Sequence, residues 1–187
     1  MSVAVAHPEP WTVAALYALP DDGMRPELLD GTLLVSPPPA VPHQLAARRL
    51  AGALVAAAPR DVEVLEASGV AVPAGLLVPD VMVARAAAVQ RAGRELSARD
   101  VLAVVEIVSP SSRTSDRRWK PTAYAEAGIA TFWRVELDAA GGPEVVVREL
   151  GGDGYAEGAR LVARTSTAID APFPLALDPV VLTGSRR

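Results

Sequence analysis

The stretch that decides the fold is VLAVVEIV, residues 101–108. An apolar run of this kind is the pattern of a central strand that is covered on both faces. Side chains alternate along a strand, which places Glu106 on one face with Leu102, Val104 and Val108. An unpaired carboxylate on such a face is strongly unfavourable. The sequence therefore predicts a cation, a metal ion or hydrogen-bond donors beside Glu106.

A second carboxylate interrupts another apolar segment. Asp80 shares a predicted strand face with Val78 and Met82. On two neighbouring strands, Asp80 and Glu106 could converge on a site with oxygen ligands, which suits Mg²⁺ or Mn²⁺. The alternatives are structural: Asp80 begins a strand or holds a turn, and Glu106 pairs with an arginine such as Arg113.

The segments around these two acids predict a single α/β (α+β) domain. The predicted order is helix, three strands, helix and strand, with additional hairpins and strands towards both ends. The helices are expected at 41–58 and within 116–127, the core strands at 62–72, 76–84, 101–108 and 130–137, and further strands at 144–150 and 159–165. A hairpin is expected over 27–35, with Asp30-Gly31 as its tight turn. We expect a flexible N-terminal tail over 1–10, one domain over 11–181 and a C-terminal tail over 182–187.

Composition narrows the class of protein. The length of 187 residues fits one domain, and an apolar fraction of 50% is enough for a core. The absence of cysteine excludes disulfides, cysteine–zinc sites and thiol nucleophiles, and two histidines leave little room for a histidine metal cage. No apolar stretch approaches the roughly 20 residues that span a bilayer, and no secretory signal is recognisable. These features predict a cytoplasmic protein with no membrane association.

Lysine is almost absent from the chain. Seventeen of the 18 basic residues are arginine, and Lys120 is the only lysine. Unless this is chance, a retained lysine indicates a site that needs a compact point charge instead of a rigid guanidinium fork. Asp116, four residues earlier, either caps a helix or holds this lysine. The net charge of −4 argues against non-specific nucleic-acid binding, although a local basic patch would suffice.

A series of short motifs follows in order along the chain: Glu27–Gly31, His43-Gln44, Pro79-Asp80, Glu106, Ser109–Ser112, Asp116-x-x-x-Lys120, Tyr124–Ile129, Phe132–Val135 and Pro172–Pro174. Together these motifs resemble the Uma-two family of bacterial restriction endonucleases, a branch of the PD-(D/E)XK nuclease superfamily. The resemblance covers roughly residues 11–181. It implies a restriction-endonuclease-like core, αβββαβ, with a mixed sheet flanked by helices.

The resemblance also implies roles for the central residues. Asp80 and Glu106 would be ligands of Mg²⁺ or Mn²⁺, and the carbonyl of Ile107 could complete the site. The superfamily lysine normally stands two residues after the acid, where this chain has Val108. Family members of this type place the lysine on the following helix, which leaves Lys120 as the candidate. It would orient the attacking water or stabilise charge on the phosphate.

Other residues carry more open assignments. By the same resemblance, Glu27 would be an accessory acid that holds a second metal or a water. His43, near the start of a helix, could contact phosphate, carry a proton, or serve only in capping or packing. Arg113, Arg117 and Arg118 flank the lysine and could bind a phosphate backbone, or they form a solvated charged loop.

These assignments predict a Mg²⁺-dependent endonuclease that hydrolyses phosphodiester bonds in DNA. One alternative is a catalytically silent relative that binds nucleic acid or a protein partner, which the net negative charge and the displaced lysine favour. Another is a metal-dependent hydrolase of a small phosphorylated substrate. The joint presence of Glu27, Asp80, Glu106 and Lys120 favours the endonuclease. A homodimer is expected by analogy, since restriction-type nucleases often need two active sites for two strands.

Overall fold

Two six-stranded sheets and four α-helices make up most of the described chain. The computed structural model describes residues 3–5, 9–20 and 23–184. The helices are α1 (Val13–Tyr17), α2 (Val41–Ala57), α3 (Ala86–Val89) and α4 (Lys120–Glu126). The strands are β1 (Val3–Val5), β2 (Arg25–Leu29), β3 (Thr32–Ser36), β4 (Val62–Glu66), β5 (Gly69–Val72), β6 (Gly75–Leu77), β7 (Val81–Arg85), β8 (Glu95–Ser97), β9 (Val101–Val108), β10 (Thr131–Glu136), β11 (Glu144–Gly151), β12 (Gly154–Val162), β13 (Thr167–Ile169) and β14 (Leu175–Leu177).

The central sheet has the order β12-β11-β10-β9-β7-β4. Strands β9 and β10 run parallel and the other neighbours run antiparallel, so the sheet is mixed. As predicted, β9 lies inside it and is covered on both faces. Ala103, Val105 and Ile107 pack in the core that contains α2, whereas Val104 packs in the core that contains α4. The succession α2, β4, β7, β9, α4, β10 confirms the predicted fold class.

Helix α2 covers one face of this sheet with a narrow stripe of small and branched side chains. Ala46, Leu50 and Leu54 are fully buried, at the four-residue spacing that aligns side chains on a helix. Pro42 stands in the first turn, where its missing N–H removes no helical hydrogen bond. The helix positions His43, one residue later, beside the end of β9.

The second sheet has the order β1-β3-β2-β6-β5-β8. Two of the predicted strands, 62–72 and 76–84, each divide between the two sheets. The first breaks at Ala67, which has a positive φ of 49°, and the second breaks at 78–80 between β6 and β7. At the start of β6, Gly75 has a φ of 141°, and a Cβ there would collide with the carbonyl of Leu28. Only glycine allows β2 and β6 to approach this closely.

The predicted hairpin is present as β2 and β3. Asp30 and Gly31 both have positive φ, 47° and 71°, as expected for the tight turn that matches strand twist. This hairpin carries Glu27 on β2, next to the central sheet.

Both predicted tails are shorter than expected. Val3–Val5 pair with β3 instead of forming part of a tail, because β3 offers them an unpaired sheet edge. At the other end, Leu182 is 1% exposed and packs in the core with α2, which buries an apolar side chain. Residues 1, 2, 6–8 and 185–187 of the predicted tails lie outside the described residues. None of the helices that the structure describes is long and apolar enough to cross a bilayer.

Candidate functional site

Four carboxylates and one lysine are buried together where β7 begins and β9 ends. The five side chains come from both sheets and from the segment leading into α4, and each residue is at most 6% exposed: Glu27, Asp80, Glu106, Asp116 and Lys120. They line a cleft of about 590 Å³. Burying this many charges is unfavourable unless they are paired. Ion pairs and hydrogen bonds, and not hydrophobic packing, therefore hold these side chains in place.

Lys120 lies at the centre of this acidic cluster. Its Nζ is 2.8 Å from Oε1 of Glu27, 3.1 Å from Oε1 of Glu106 and 3.9 Å from Oδ1 of Asp116. Burial alone would lower the pKa of the ammonium, but the three carboxylates outweigh it and raise the pKa above its usual range. Lys120 is therefore a permanent cation here and not a proton acceptor.

Glu106 is held by two donors on the same helix. Its Oε1 accepts a 2.6 Å hydrogen bond from the Tyr124 hydroxyl and lies 3.1 Å from the Lys120 ammonium. Burial raises the pKa of Glu106, and Asp116, Asp80 and Glu27 raise it further; Lys120 only partly opposes this, so the pKa lies well above its ordinary value.

Asp80 is bound through both of its oxygens. Arg25 donates to Oδ1 at 3.1 Å, while the Ile107 N–H donates to Oδ2 at 2.8 Å and Nε2 of His43 lies 3.2 Å from Oδ2. Burial by itself would raise the pKa of Asp80, but His43 and the Ile107 N–H outweigh it, so the pKa is lowered. Asp80 is consequently the firmly ionised acid of the cluster.

The cluster carries more negative than positive charge. If all four carboxylates are ionised, they face two permanent cations, Lys120 and Arg25, which leaves two negative charges when His43 is neutral. Burial is the main reason why the pKa values of Glu106 and Asp116 are raised, and the neighbouring carboxylates raise them further. Protons or a divalent cation would both relieve the excess of negative charge.

The donor chemistry fits a hard cation. Carboxylate and carbonyl oxygens are the ligands that Mg²⁺ prefers. Oδ2 of Asp80 and the carbonyl oxygen of Ile107 lie 3.2 and 2.9 Å from one atom, Nε2 of His43, so two of the three predicted ligands already converge. Within residues 3–5, 9–20 and 23–184, no three acidic or histidine side chains are grouped as a ready metal cage. A cation would therefore have to replace the imidazole contact of His43.

One helical face carries three of the groups. Asp116, Lys120 and Tyr124 are spaced four residues apart, and this spacing aligns side chains along a helix. The first lies in a π turn at Ser115–Trp119 and the other two in α4. Asp116 is not the helix cap, since Thr114 occupies that position, so the alternative assignment as a partner of Lys120 is the one observed.

Sequence reasoning missed two members of the site. Arg25 has no local signal beyond a charge in a short strand, because its partner Asp80 is 55 residues away. Tyr124 is fully buried, as an aromatic core residue would be, but its hydroxyl contacts Glu106. Its four-residue spacing from Lys120 is the signal that could have identified it.

The structure separates the remaining candidates into two groups. His43 belongs to the cluster, since its Nε2 donates to the Ile107 carbonyl and its Nδ1 is buried with no hydrogen-bond partner among the described residues. Arg113, Arg117 and Arg118 are exposed and do not line the cleft. Arg117 instead donates two 3.0 Å hydrogen bonds to Glu136.

Asp116 makes stability depend on pH. Burial raises its pKa to about 6, with Lys120 opposing, compared with 3.8 in the unfolded chain. The folded state therefore retains this proton more tightly, and stability is lost as pH rises from about 4 to about 6. Without added metal, we expect Asp116→Asn to gain stability over the wild type by up to about 3 kcal/mol at pH 7.5, and much less at pH 4.5.

Urea unfolding at the two pH values measures this difference. Asp138→Asn, which changes an exposed acid lining the same cleft, is the matched control and should stay within about 0.5 kcal/mol of the wild type. An equal stability difference for Asp116→Asn at both pH values would contradict the assignment.

Comparisons with known proteins agree with this architecture. A family model, Uma2, described as "Putative restriction endonuclease", matches residues 13–177. A crystal structure from Anabaena variabilis ATCC 29413, described as "a putative nuclease belonging to DUF820", is similar with a TM-score of 0.70 and 16% identity, over 93% of this chain and 98% of that chain. No curated protein matches the chain. At this identity the structural similarity supports the fold alone.

Proposed function

The chain belongs to the Uma2 family, and on that premise we propose that it is a metal-dependent endonuclease that hydrolyses phosphodiester bonds in DNA. The observation that carries the proposal is the buried acidic cluster, in which four carboxylates share two permanent cations. A phosphodiester is itself an anion and would be repelled by such a cluster. A divalent cation removes the repulsion and supplies the charge that phosphoryl transfer needs.

Asp80, Glu106 and the carbonyl of Ile107 are the groups that would hold Mg²⁺ or Mn²⁺. The ion would supply Lewis acidity, polarising the phosphate and lowering the pKa of a water molecule. Asp80 suits this role because its lowered pKa keeps it ionised, and its rigid support by the Ile107 N–H fixes its orientation.

Lys120 stabilises negative charge on the phosphate or orients the attacking water. Its raised pKa keeps it protonated throughout the physiological range, so it acts as a hydrogen-bond donor and not as a general base. Glu27 positions it: Oε1 contacts Nζ at 2.8 Å while accepting a 2.8 Å hydrogen bond from the Val78 N–H. Glu27 is in this respect a positioning residue, and a second metal at Glu27 is the alternative role.

His43 is placed to be exchanged when the cation binds. Its Nε2 contacts the same two oxygens that the cation would use, those of Asp80 and Ile107. Released from them, the imidazole would stand at the rim of the cleft, where it could donate to a phosphate oxygen or carry a proton.

A silent, non-catalytic role is the second candidate. The observation that favours it is that both oxygens of Asp80 are already bonded, to Arg25 and to His43 with the Ile107 N–H. In that case the scaffold would bind nucleic acid or a protein partner without cleaving, and neither Mg²⁺ nor Mn²⁺ would raise its melting temperature.

Supercoiled-plasmid nicking tests the proposal. With Mg²⁺ or Mn²⁺, we expect the wild type to convert supercoiled to open-circular DNA and Asp80→Ala to lose this activity, because the ionised ligand is gone. Asp138→Asn, purified identically, should cleave like the wild type. Equal cleavage by all three proteins would indicate contamination or another site, and no cleavage with either metal would favour the silent role.

A further inference from the structure

A row of side chains crosses the central sheet from the candidate site to its edge. Glu106 on β9 is paired with Arg134 on β10, Arg134 with Val146 on β11, and Val146 with Arg160 on β12. Residues directly opposite each other in a sheet share a face, and neighbouring strands lie about 4.8 Å apart. Arg134 is thus one strand away from Glu106, and Arg160 is three strands, or about 14 Å, away.

Further arginines join this row on the same side. Arg148 lies two residues beyond Val146 on β11, and Arg117 reaches the row from the π turn through its bonds to Glu136. We call Arg117, Arg134, Arg148 and Arg160 the arginine row. Its two outer members present guanidinium groups to solvent, since the side chains of Arg117 and Arg160 are 43% and 46% exposed.

The arginine row is short of negative charge. Three glutamates, Glu136, Glu144 and Glu157, form ion pairs with three of the four arginines, and Arg148 forms none among the described residues. The buried Nε atoms of Arg134 and Arg148 have no hydrogen-bond partner among the described residues; that of Arg134 lies 3.1 Å from Glu136 but outside hydrogen-bond geometry. Burial, and after it the charge of Arg148, lowers the pKa of Arg134. The glutamates therefore orient the guanidinium groups and leave one of the four positive charges unbalanced.

We propose that the arginine row binds the phosphate backbone of the DNA on one side of the cleaved bond. The inference rests on the proposed function, because it takes the cluster at Glu106 as the place of cleavage. Guanidinium forks match phosphate oxygens in geometry and charge. At about 3.4 Å per nucleotide along a strand, a row of about 14 Å spans roughly four nucleotides. The acidic cluster and the arginine row together define a direction for the DNA across β9, β10, β11 and β12.

Fluorescence anisotropy with a 20-base-pair DNA duplex tests this surface. Binding is measured between 50 and 200 mM salt with Ca²⁺ in place of Mg²⁺, because Ca²⁺ also takes oxygen ligands and so offsets the charge of the acidic cluster. We expect Arg134→Gln/Arg160→Gln to bind roughly tenfold more weakly at the lowest salt, with the slope of log affinity against log salt reduced by about 2. Arg160→Gln alone should reduce the slope by about 1. Because it changes only an exposed side chain, it shows whether weaker binding by the double variant comes from misfolding.

The matched control is Arg60→Gln/Arg99→Gln. It changes the net charge equally, but Arg60 precedes β4 at the opposite edge of the sheet and Arg99 precedes β9 at the end away from the cluster. Three outcomes would each overturn the proposed DNA binding by the arginine row. They are equal binding by all variants, equal weakening by row and control variants, and no binding by the wild type. Wild-type nicking with unaltered row variants would overturn the row and leave the endonuclease intact. DNA binding that depends on the arginine row, without any nicking, would overturn the endonuclease and leave the arginine row intact.

Discussion

Lys120→Met is expected to abolish plasmid nicking and to destabilise the fold by about 3–5 kcal/mol. Removing the ammonium leaves Glu27 and Glu106 facing each other without a cation, and uncompensated buried charges carry costs of this size. For cleavage, loss of a donor that stabilises transition-state charge lowers the rate by about 10²–10³-fold or more. Urea unfolding and a time course of nicking measure the two effects.

A second variant separates stability from catalysis. Lys120→Met/Glu106→Gln removes one of the two unpaired acids, so we expect it to recover part of the lost stability and none of the cleavage. Arg118→Met, an exposed change in the adjacent turn, should stay within about 0.5 kcal/mol of the wild type. Nicking at the wild-type rate by folded Lys120→Met would exclude this lysine from the active site.

Glu106→Gln is expected to lose both cleavage and the stabilisation by metal. In the wild type, Mg²⁺ or Mn²⁺ at 100 times its dissociation constant would add about 2.7 kcal/mol of stability. The amide keeps the shape of the side chain but offers no negative charge, so this increment should disappear and nicking should fall about 10²–10³-fold. Thermal unfolding with and without each metal, beside the nicking assay, measures both effects.

The metal-free behaviour of the same variant provides a further check. The pKa of Glu106 is raised mainly by burial, so an ionised carboxylate there opposes folding at neutral pH. In EDTA at pH 7.5, Glu106→Gln should therefore be at least as stable as the wild type, which shows that any loss of activity is not a loss of fold. Asp138→Asn should retain the metal-dependent shift. A full metal shift in Glu106→Gln would remove Glu106 from the predicted ligands.

Much of the fold follows from local sequence pattern. The continuous apolar run of β9 predicts a strand covered on both faces, and the Asp30-Gly31 pair predicts a tight turn; both are observed. Glu106 and Lys120 could be selected as candidates because each is an exception in its surroundings, one a charge in an apolar strand and the other the only lysine. Periodicity and composition are properties of neighbouring residues, so the sequence alone determines them.

The identity of each partner was decided only by the tertiary structure. Asp80 binds Arg25 and His43, which lie 55 and 37 positions away along the chain, and neither pairing leaves a local signal. The long predicted strands divide between two sheets because Ala67 and the residues at 78–80 turn the chain. Pairing across a sheet depends on register, and the ionisation of a buried acid depends on every charge near it. Both are set by the whole folded chain and not by any segment of it.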